Sequence, residues 1–494
     1  MKRIDLSGRP VHFIGIGGIG MSGLAYVLAQ LEIPVSGSDV NLSQITERLQ
    51  SVGAQIFLGQ DPSNLEFFQK NGRLTPLSAL TREGERGEIE EKWRNPEKIS
   101  KNLPQIIRST AISANNREYQ AAVEWGCPIF HRSDLLAALI EKYESIAVSG
   151  THGKTTTSSL ISYILFRAGL DPTIIVGGEV NAWEGNARLG KGKYLVAEAD
   201  ESDGTLTKHA PKIGVVTNIE LDHPDHYQNL EEVIEIFKVF TAQCETWVGC
   251  VDCSNVKKYL KPKISYSINP ELGADYTVKN INQTPSLTTA EVWERGYLLG
   301  QIQLKIPGKH NISNALAAVA VARLLGLEFE DIASGIASFE GAKRRFEVRG
   351  QCNEITIIDD YAHHPSEIIA TLAAAKIKAS KEENRIVAIF QPHRYSRTQK
   401  FIREFSTCFQ DADQVIVTDI YGAGEKMEGK ISGQSVAEAI ASHHNHVLYY
   451  PALNSLSGLL FNILQKGDLV LFLGAGNLNQ VIPELIGLYE QKNK

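Results

Sequence analysis

Residues 147–157 read Ala-Val-Ser-Gly-Thr-His-Gly-Lys-Thr-Thr-Thr, a glycine-bearing turn between an apolar run and a helix-like stretch. Gly150 and Gly153 let backbone N–H groups turn inward around phosphate oxygens with no Cβ in the way. Lys154 can then reach the β- and γ-phosphates, and the Thr155 hydroxyl can hold Mg²⁺. Thr151, His152 and Thr156 complete a cradle that points to ATP. Val148 stands where the G-x-x-x-x-G-K-[ST] pattern has its first glycine, so the loop is a variant, tighter at its start.

Outward from this loop, the stretch 155–168 carries Leu160, Ile161, Ile164 and Leu165 at one-face spacing and predicts a helix. The strand-like 194–199 delivers Glu198 into Asp200-Glu201-Ser202-Asp203. A carboxylate at a strand end, in the same α/β unit as a phosphate loop, suits the second Mg²⁺ ligand of a nucleotide site. The next apolar run, from 213, ends in Asp222-His223, on the side where α/β sheets bind ligands; His223 is a candidate for metal or substrate contact. Asn311 and Asn314, in a loop entering a helix, offer a donor and an acceptor each, which suits an adenine edge and equally suits helix capping.

Before the loop, residues 11–25 run from an apolar strand through Gly15, Gly17, Gly18 and Gly20 into a helix that opens with Met21 and Ser22. A second strand, 33–38, ends at Asp39, completing the G-x-G-x-x-G pattern of a dinucleotide-binding βαβ unit. The spacing supports a diphosphate at a helix N-terminus, where free N–H groups and the helix dipole favour anions, without saying which nucleotide. Residues 81–101 are dense in charge of both signs and predict a solvated surface insertion. Strand and helix signals resume around Ser109 and again at Phe130-His131-Arg132.

After the loop's own segment, strands at 355–358, 386–390 and 468–473 end in Asp-Asp-Tyr361-Ala-His-His364-Pro, in Gln-Pro-His-Arg394-Tyr-Ser-Arg397-Thr and in Gly-Ala-Gly-Asn. Strand ends of this kind, joined by helical stretches, describe a further doubly wound unit with its own crevice. Arg394 and Arg397 share a face if a helix starts there; they would then hold a carboxylate or phosphate bidentately, or else form an exposed basic turn.

With 494 residues, 43% of them hydrophobic and 22% charged, the chain is sized for about three globular domains. The expected architecture is α/β: an N-terminal Rossmann-like domain (1–143), a central P-loop ATPase-like domain with a mostly parallel sheet (144–343), and a C-terminal Rossmann-like domain (344–494). A net charge of −7 supplies no broad field for nucleic acid or anionic membrane, so no nucleic-acid partner is expected. The start of the chain lacks a signal-peptide apolar core, and no stretch of about 18 apolar residues follows; the expectation is a cytoplasmic protein without membrane insertion. Six cysteines, with Cys250 and Cys253 as a lone C-x-x-C, fit reduced thiols better than a disulfide framework or a zinc site.

Taken in order, Gly-Ile-Gly-Gly-Ile-Gly-Met-Ser-Gly-Leu-Ala, Gly-Thr-His-Gly-Lys-Thr-Thr-Thr, Glu-Ala-Asp-Glu-Ser-Asp, Thr-Asn-Ile-Glu-x-Asp-His, Gly-x-His-Asn-x-x-Asn-Ala, Asp-Asp-Tyr-Ala-His-His-Pro and Gln-Pro-His-Arg-Tyr-x-Arg-Thr resemble the Mur ligase family over residues 15–476. The resemblance implies an ATP- and Mg²⁺-dependent ligase of peptidoglycan synthesis that joins L-alanine to the lactyl carboxylate of UDP-N-acetylmuramate through an acyl phosphate. It assigns the UDP diphosphate, not NAD, to residues 15–22, and leaves the role of Asp39 less defined. Ser109 and His131 would be further substrate contacts. Lys154 and Thr155 would hold ATP and Mg²⁺, with Glu198 and His223 completing the metal sites, Asn311 and Asn314 facing adenine, and Arg345 at the hinge. Tyr361, His364, Arg394 and Arg397 would meet phosphates, the lactyl carboxylate or the incoming alanine; Lys154, His223, His364 and Arg394 are the implied catalytic set. Lys238 is a conceivable counterpart of the carbamylated lysine of some sister ligases. The insertion at 81–101 and Leu221-Asp-His-Pro224, in place of Pro-Asp-His-Met, depart from the family pattern. Three rivals are a ligase attaching a recycled tripeptide to the same nucleotide sugar, an NAD-linked oxidoreductase resting on residues 15–39, and a nucleotide-switched binding protein with no ligase activity.

Overall fold

The computed structural model describes residues 3–66, 103–379, 384–426, 429 and 431–492; the charged stretch 81–101 lies outside them. Among the described residues three sheets form. The first contains β1 (Val11–Ile14), β2 (Val35–Asp39), β3 (Gln55–Leu58), β4 (Gln105–Arg108) and β5 (Ile129–His131), in the order β3-β2-β1-β4-β5, and its pairings are parallel. The order reverses at β1, so the Gly15 turn stands at a topological switch point, where α/β sheets open a crevice.

The second sheet holds β6 (Glu144–Ser149), β7 (Thr173–Val180), β8 (Gly185–Arg188), β9 (Tyr194–Glu198), β10 (Ile213–Val216), β11 (Thr246–Cys250), β12 (Ile264–Ser267), β13 (Tyr276–Gln283), β14 (Thr288–Glu294) and β15 (Tyr297–Leu304). Its order is β15-β14-β13-β12-β11-β10-β6-β9-β7-β8, with antiparallel pairing at β7–β8 and in the β13-β14-β15 meander. The third runs β16-β17-β21-β18-β19-β20, built from β16 (Glu347–Cys352), β17 (Ile355–Asp360), β18 (Ile386–Phe390), β19 (Gln414–Val417), β20 (Val447–Tyr449) and β21 (Leu469–Leu473). Only β16 is antiparallel to its neighbour among these described strands.

The third sheet shows why these residues make strands. Ile355 and Ile357, Val387 and Ile389, Val470 and Phe472 belong to one core cluster; Ile358, Ile386, Ala388, Phe390, Leu469, Leu471 and Leu473 belong to another. Side chains alternate between faces, and both faces are covered, so the strands read as continuous apolar runs. Removing Leu471 to the Cβ would cost about 2–5 kcal/mol.

The chain divides into two compact units: residues 1–148, 169–214 and 239–246, and residues 149–168, 215–238 and 247–494. The helix expected at 155–168 forms as Lys154–Arg167, because Gly153 takes a left-handed φ of +80° as its N-cap and Lys154 becomes the first helical residue. Within the second unit it packs against the helices Lys309–Leu324 and Phe329–Ser338.

Candidate active site

The loop between Ser149 and the helix Lys154–Arg167 is built on the segment after β10. Gly150 has φ +138°, and a Cβ there would overlap Thr217 Oγ1, so glycine alone lets the loop lie this close. Thr151 N donates to Asn218 O (3.0 Å), His152 N donates to Asn218 Oδ1 (2.8 Å), and Asn218 Nδ2 and Thr217 Oγ1 both donate to His152 O (3.0 and 2.6 Å). Thr217 and Asn218 are therefore the scaffold of the phosphate loop, a role that sequence reading did not assign. Lys154 Nζ donates to Gly150 O (2.6 Å) and Thr151 O (3.1 Å), folding its ammonium over the cradle.

Asn311 and Asn314 lie in the helix Lys309–Leu324 and support the same loop. Asn311 Nδ2 donates to Pro307 O (2.6 Å), Asn314 Nδ2 donates to Asn311 Oδ1 (3.1 Å), and Asn314 Oδ1 accepts from Thr157 Oγ1 (3.1 Å). Asn314 Oδ1 also stands where a Cβ on Gly153 would go. Neither amide caps the helix, whose N-cap is Gly308. Arg345 Nη2 donates to Thr155 Oγ1 (3.3 Å), and Arg344 and Arg345 both lie over the Tyr361 ring, at 4.9 and 5.2 Å from its centre. Thr156 is buried within the first turn of the loop helix.

Three motifs distant in the chain converge beside the loop. His152 Nε2 is 3.3 Å from Glu220 Oε2, and its Nδ1 is 3.2 Å from Glu367 Oε1. Ser366 Oγ donates to Glu220 Oε2 (2.7 Å), and the His364 ring lies 4.8 Å from the His152 ring. His364 is the N-cap of the helix Pro365–Lys378, with Glu367 completing the capping box. Burial alone would lower the His152 pKa, but the hydrogen bonds to Glu220 and Glu367 outweigh it and push the ring up to about 10. The hydrogen bond from His152 holds Glu220 down at about 2. Sequence reading gave Glu220 and Glu367 no role; a carboxylate two residues before Asp222-His223, and one three after His364, was the available signal.

Arg397 and Arg394 take different partners. Arg397 is buried, donating from Nε to Asp222 Oδ1 (2.7 Å) and from Nη2 to Asp222 Oδ2 (3.3 Å), with His393 Nδ1 3.1 Å from its Nη1. It is thus not an exposed basic turn. Burial would raise the Asp222 pKa, yet the guanidinium holds it well below the usual carboxylate range. Arg394 has φ +68° and reaches Asp225 (2.9 Å) and Glu425 (3.3 Å), part-exposed. His223, also at positive φ (+53°), has its Nε2 3.6 Å from Asp222 Oδ2. Two non-glycine residues in the left-handed region are held there by their surroundings, a feature that clusters at functional sites. Lys238 donates to Glu235 Oε1 (2.6 Å) and is partly exposed.

In the other unit, Gly15 and Ile16 donate their N–H groups to Ser38 O, and Gly17 N donates to Asp39 Oδ2 (2.8 Å), so Asp39 fixes the glycine turn itself. Gly18 caps the helix Ile19–Gln30, whose first turn holds Gly20, Met21 and Ser22, the last two buried. Asn186 Nδ2 donates to Ile19 O (2.7 Å) and Ser22 Oγ (3.2 Å). Arg132, not foreseen, lies against Gly20 and donates to Asp200 Oδ2 (2.7 Å), with Asp203 3.7 Å away. His131 caps the helix Arg132–Lys142 and has Nε2 3.5 Å from Asp203. Ser109 follows β4 in a loop. Glu198 ends β9, its Oε2 accepting from Gly177 N (2.9 Å), and a Cβ on Gly177 would overlap that carboxylate. All six cysteines are free thiols.

Comparison with known proteins gives the family. The Mur ligase family catalytic domain matches residues 10–144, the Mur ligase middle domain 148–322, and the Mur ligase glutamate ligase domain 344–476. A UDP-N-acetylmuramate--L-alanine ligase of Gloeothece citriformis is 62% identical over 493 residues, covering 98% of this chain and 99% of that protein. One from Crocosphaera subtropica is 61% identical, covering 99% and 96%. The crystal structure of UDP-N-acetylmuramate-alanine ligase MurC from Thermotoga maritima superposes with a TM-score of 0.79 at 26% identity, over 98% of this chain and 99% of that one. With matched domains along most of its length and relatives this similar end to end, the chain belongs to the Mur ligase family.

Proposed function

We propose that this protein is an ATP-dependent ligase that joins L-alanine to the lactyl carboxylate of UDP-N-acetylmuramate, a step of peptidoglycan synthesis. The observation that carries the reading is the phosphate loop 150–157 with Lys154 folded over it, in a chain 62% identical to a named alanine ligase along its whole length. The reading divides the chain into domains for the UDP substrate (1–143), ATP (144–343) and the amino acid (344–494); the three matched family segments support those bounds.

In the reaction a lactyl carboxylate oxygen attacks the γ-phosphorus of ATP and ADP leaves. The neutral amine of L-alanine then attacks the acyl carbon, and inorganic phosphate departs from the tetrahedral intermediate. Lys154 neutralises charge on the transferring phosphoryl group, and the loop amides between Gly150 and Thr156 position it. Asn311 and Asn314 shape the adenine end of the site through the loop they brace. Gly15, Gly17, Gly18, Gly20, Met21 and Ser22 hold the UDP diphosphate by backbone N–H groups and the helix dipole, with Ser109 and His131 as further contacts and Asp39 locking the turn. Tyr361, His364 and Arg394 face the reacting carboxylate and amine, while Arg397 holds its segment in place through Asp222.

The Thr155 hydroxyl and the strand-end carboxylate of Glu198, which Gly177 N–H orients, are the oxygen donors that Mg²⁺ takes, and His223 is the further ligand that the family resemblance assigns. The ion would supply charge neutralisation at the phosphates. Among the described residues no helix is long and apolar enough to cross a membrane, and the cytoplasm, where the nucleotide substrates are found, is the proposed compartment.

Phosphate release from ATP tests the reading. It should require UDP-N-acetylmuramate and L-alanine together; release that ignores the nucleotide sugar, or that a tripeptide supports better than alanine, overturns it.

A further inference from the structure

The ligase reading puts His152 in the phosphate loop without giving its side chain a task. Both ring nitrogens face carboxylate oxygens, Nδ1 toward Glu367 and Nε2 toward Glu220. A neutral imidazole has one N–H and can donate to only one of them. The arrangement therefore holds a doubly protonated ring. Ligand atoms of His152, Glu220 and His364 also lie within 4.8 Å of one another, but a divalent cation there would have to displace a proton that two carboxylates retain.

Neither carboxylate is a loose surface group. Glu367 Oε2 accepts the N–H groups of His363 (3.0 Å) and His364 (3.3 Å) at the start of the helix Pro365–Lys378. Glu220 Oε2 accepts the Ser366 hydroxyl from the same helical turn, while Glu220 N is held by Thr151 Oγ1 (2.9 Å) of the phosphate loop. The His364 ring, tilted against that of His152, packs edge-on against Phe401. His152 is consequently the cross-piece between the loop that cradles phosphate and the turn that carries Tyr361 and His364.

We propose that His152 is a positioning residue: its imidazolium, gripped by Glu220 and Glu367, docks the 361–367 turn onto the phosphate loop and fixes where Tyr361 and His364 stand relative to Lys154 and bound nucleotide. The inference rests on the ATP-binding part of the ligase reading. The charged and titratable groups facing the ring are Glu220, Glu367 and His364, with His363 and Arg345 acting on Glu367 and the Lys154 ammonium on the loop itself. Burial would lower the ring's pKa; the two carboxylates push it up to about 10, so the dock holds through neutral pH and loosens as pH rises toward that value.

The test uses Glu367→Gln and His152→Gln in the full chain, with ADP affinity measured by calorimetry from neutral to alkaline pH and amide hydrogen exchange followed over 150–157 and 361–370. In the unaltered protein affinity should fall as pH nears 10. Glu367→Gln should move that fall to lower pH by about one unit, and His152→Gln should abolish it, as expected when a charge-assisted partner is lost. In both variants exchange should rise about tenfold in both segments together. An alkaline fall that Glu367→Gln leaves in place, or exchange that rises in one segment only, overturns the proposal. If Glu367→Gln does not fold, Glu220→Gln carries the same test. Exchange needs neither turnover nor bound nucleotide, so a failed phosphate-release assay sinks the ligase reading without deciding this one.

Discussion

Arg397, 2% exposed, grips Asp222, 5% exposed, through two hydrogen bonds although 175 residues separate them. The pair ties the segment after β10 to the helix after β18. Both charges have left water, so each is tolerable only while the other is present.

Removing one partner should therefore hurt more than removing both. Asp222→Leu or Arg397→Met alone is expected to lower stability by about 3 kcal/mol, and the two changes together by less than either alone. Urea unfolding of the four proteins checks this; additive losses would count against a coupled pair.

Lys154→Ala should cut turnover about a hundredfold or more by removing the cation at the transferring phosphoryl group. Circular dichroism should show the fold intact, because Lys154 is the first residue of its helix and alanine is a strong helix former. Near-normal kcat would refute the assignment.

Gly177→Ala tests the metal assignment without replacing a ligand. The new Cβ would collide with the Glu198 carboxylate that Gly177 N–H now orients. The Mg²⁺ concentration for half-maximal phosphate release should rise about tenfold, as for loss of an outer-shell partner. An unchanged Mg²⁺ requirement would remove Glu198 from the metal set.

Arg132→Met should weaken UDP-N-acetylmuramate, since the guanidinium sits against Gly20 at the start of the helix proposed to bind diphosphate. KM for the nucleotide sugar is expected to rise about tenfold or more, with ADP affinity unchanged. A rise in ADP dissociation instead would place Arg132 in another role.

The His152 linkage also has a stability signature. Its folded pKa, about 10, stands above the ordinary 6.5, so its contribution is complete below 6.5 and is lost as pH climbs through 10. Glu220, held at about 2, contributes above its ordinary 4.5 and loses that contribution as pH falls toward 2. Thermal melts of the parent protein should show an alkaline decline that His152→Gln lacks.

Much of this was legible from residue order. The turns at Gly15 and at 150–153, the strand ends at Glu198 and Asp360, and the helix that follows the phosphate loop all follow from glycine conformation, apolar runs and their spacing, whereas the strand expected to run to Asp222 stops at Val216. That Arg394 and Arg397 take different partners was not legible, because three-residue spacing predicts a shared helical face while burial against Asp222 claims one of them. Arg132 escaped notice because nothing local marks an arginine after a strand as lying against a distant glycine turn.

By itself, then, the sequence determined the α/β alternation, the two glycine turns and the seven motifs that carry the family resemblance, since these depend on backbone freedom and contacts within a few residues. Tertiary structure alone decided that Thr217 and Asn218 scaffold the phosphate loop, that Arg397 closes on Asp222, and that His152 bridges Glu220 and Glu367, 68 and 215 residues away. Such partners meet through strand order and shared burial, and no periodicity along the chain encodes them.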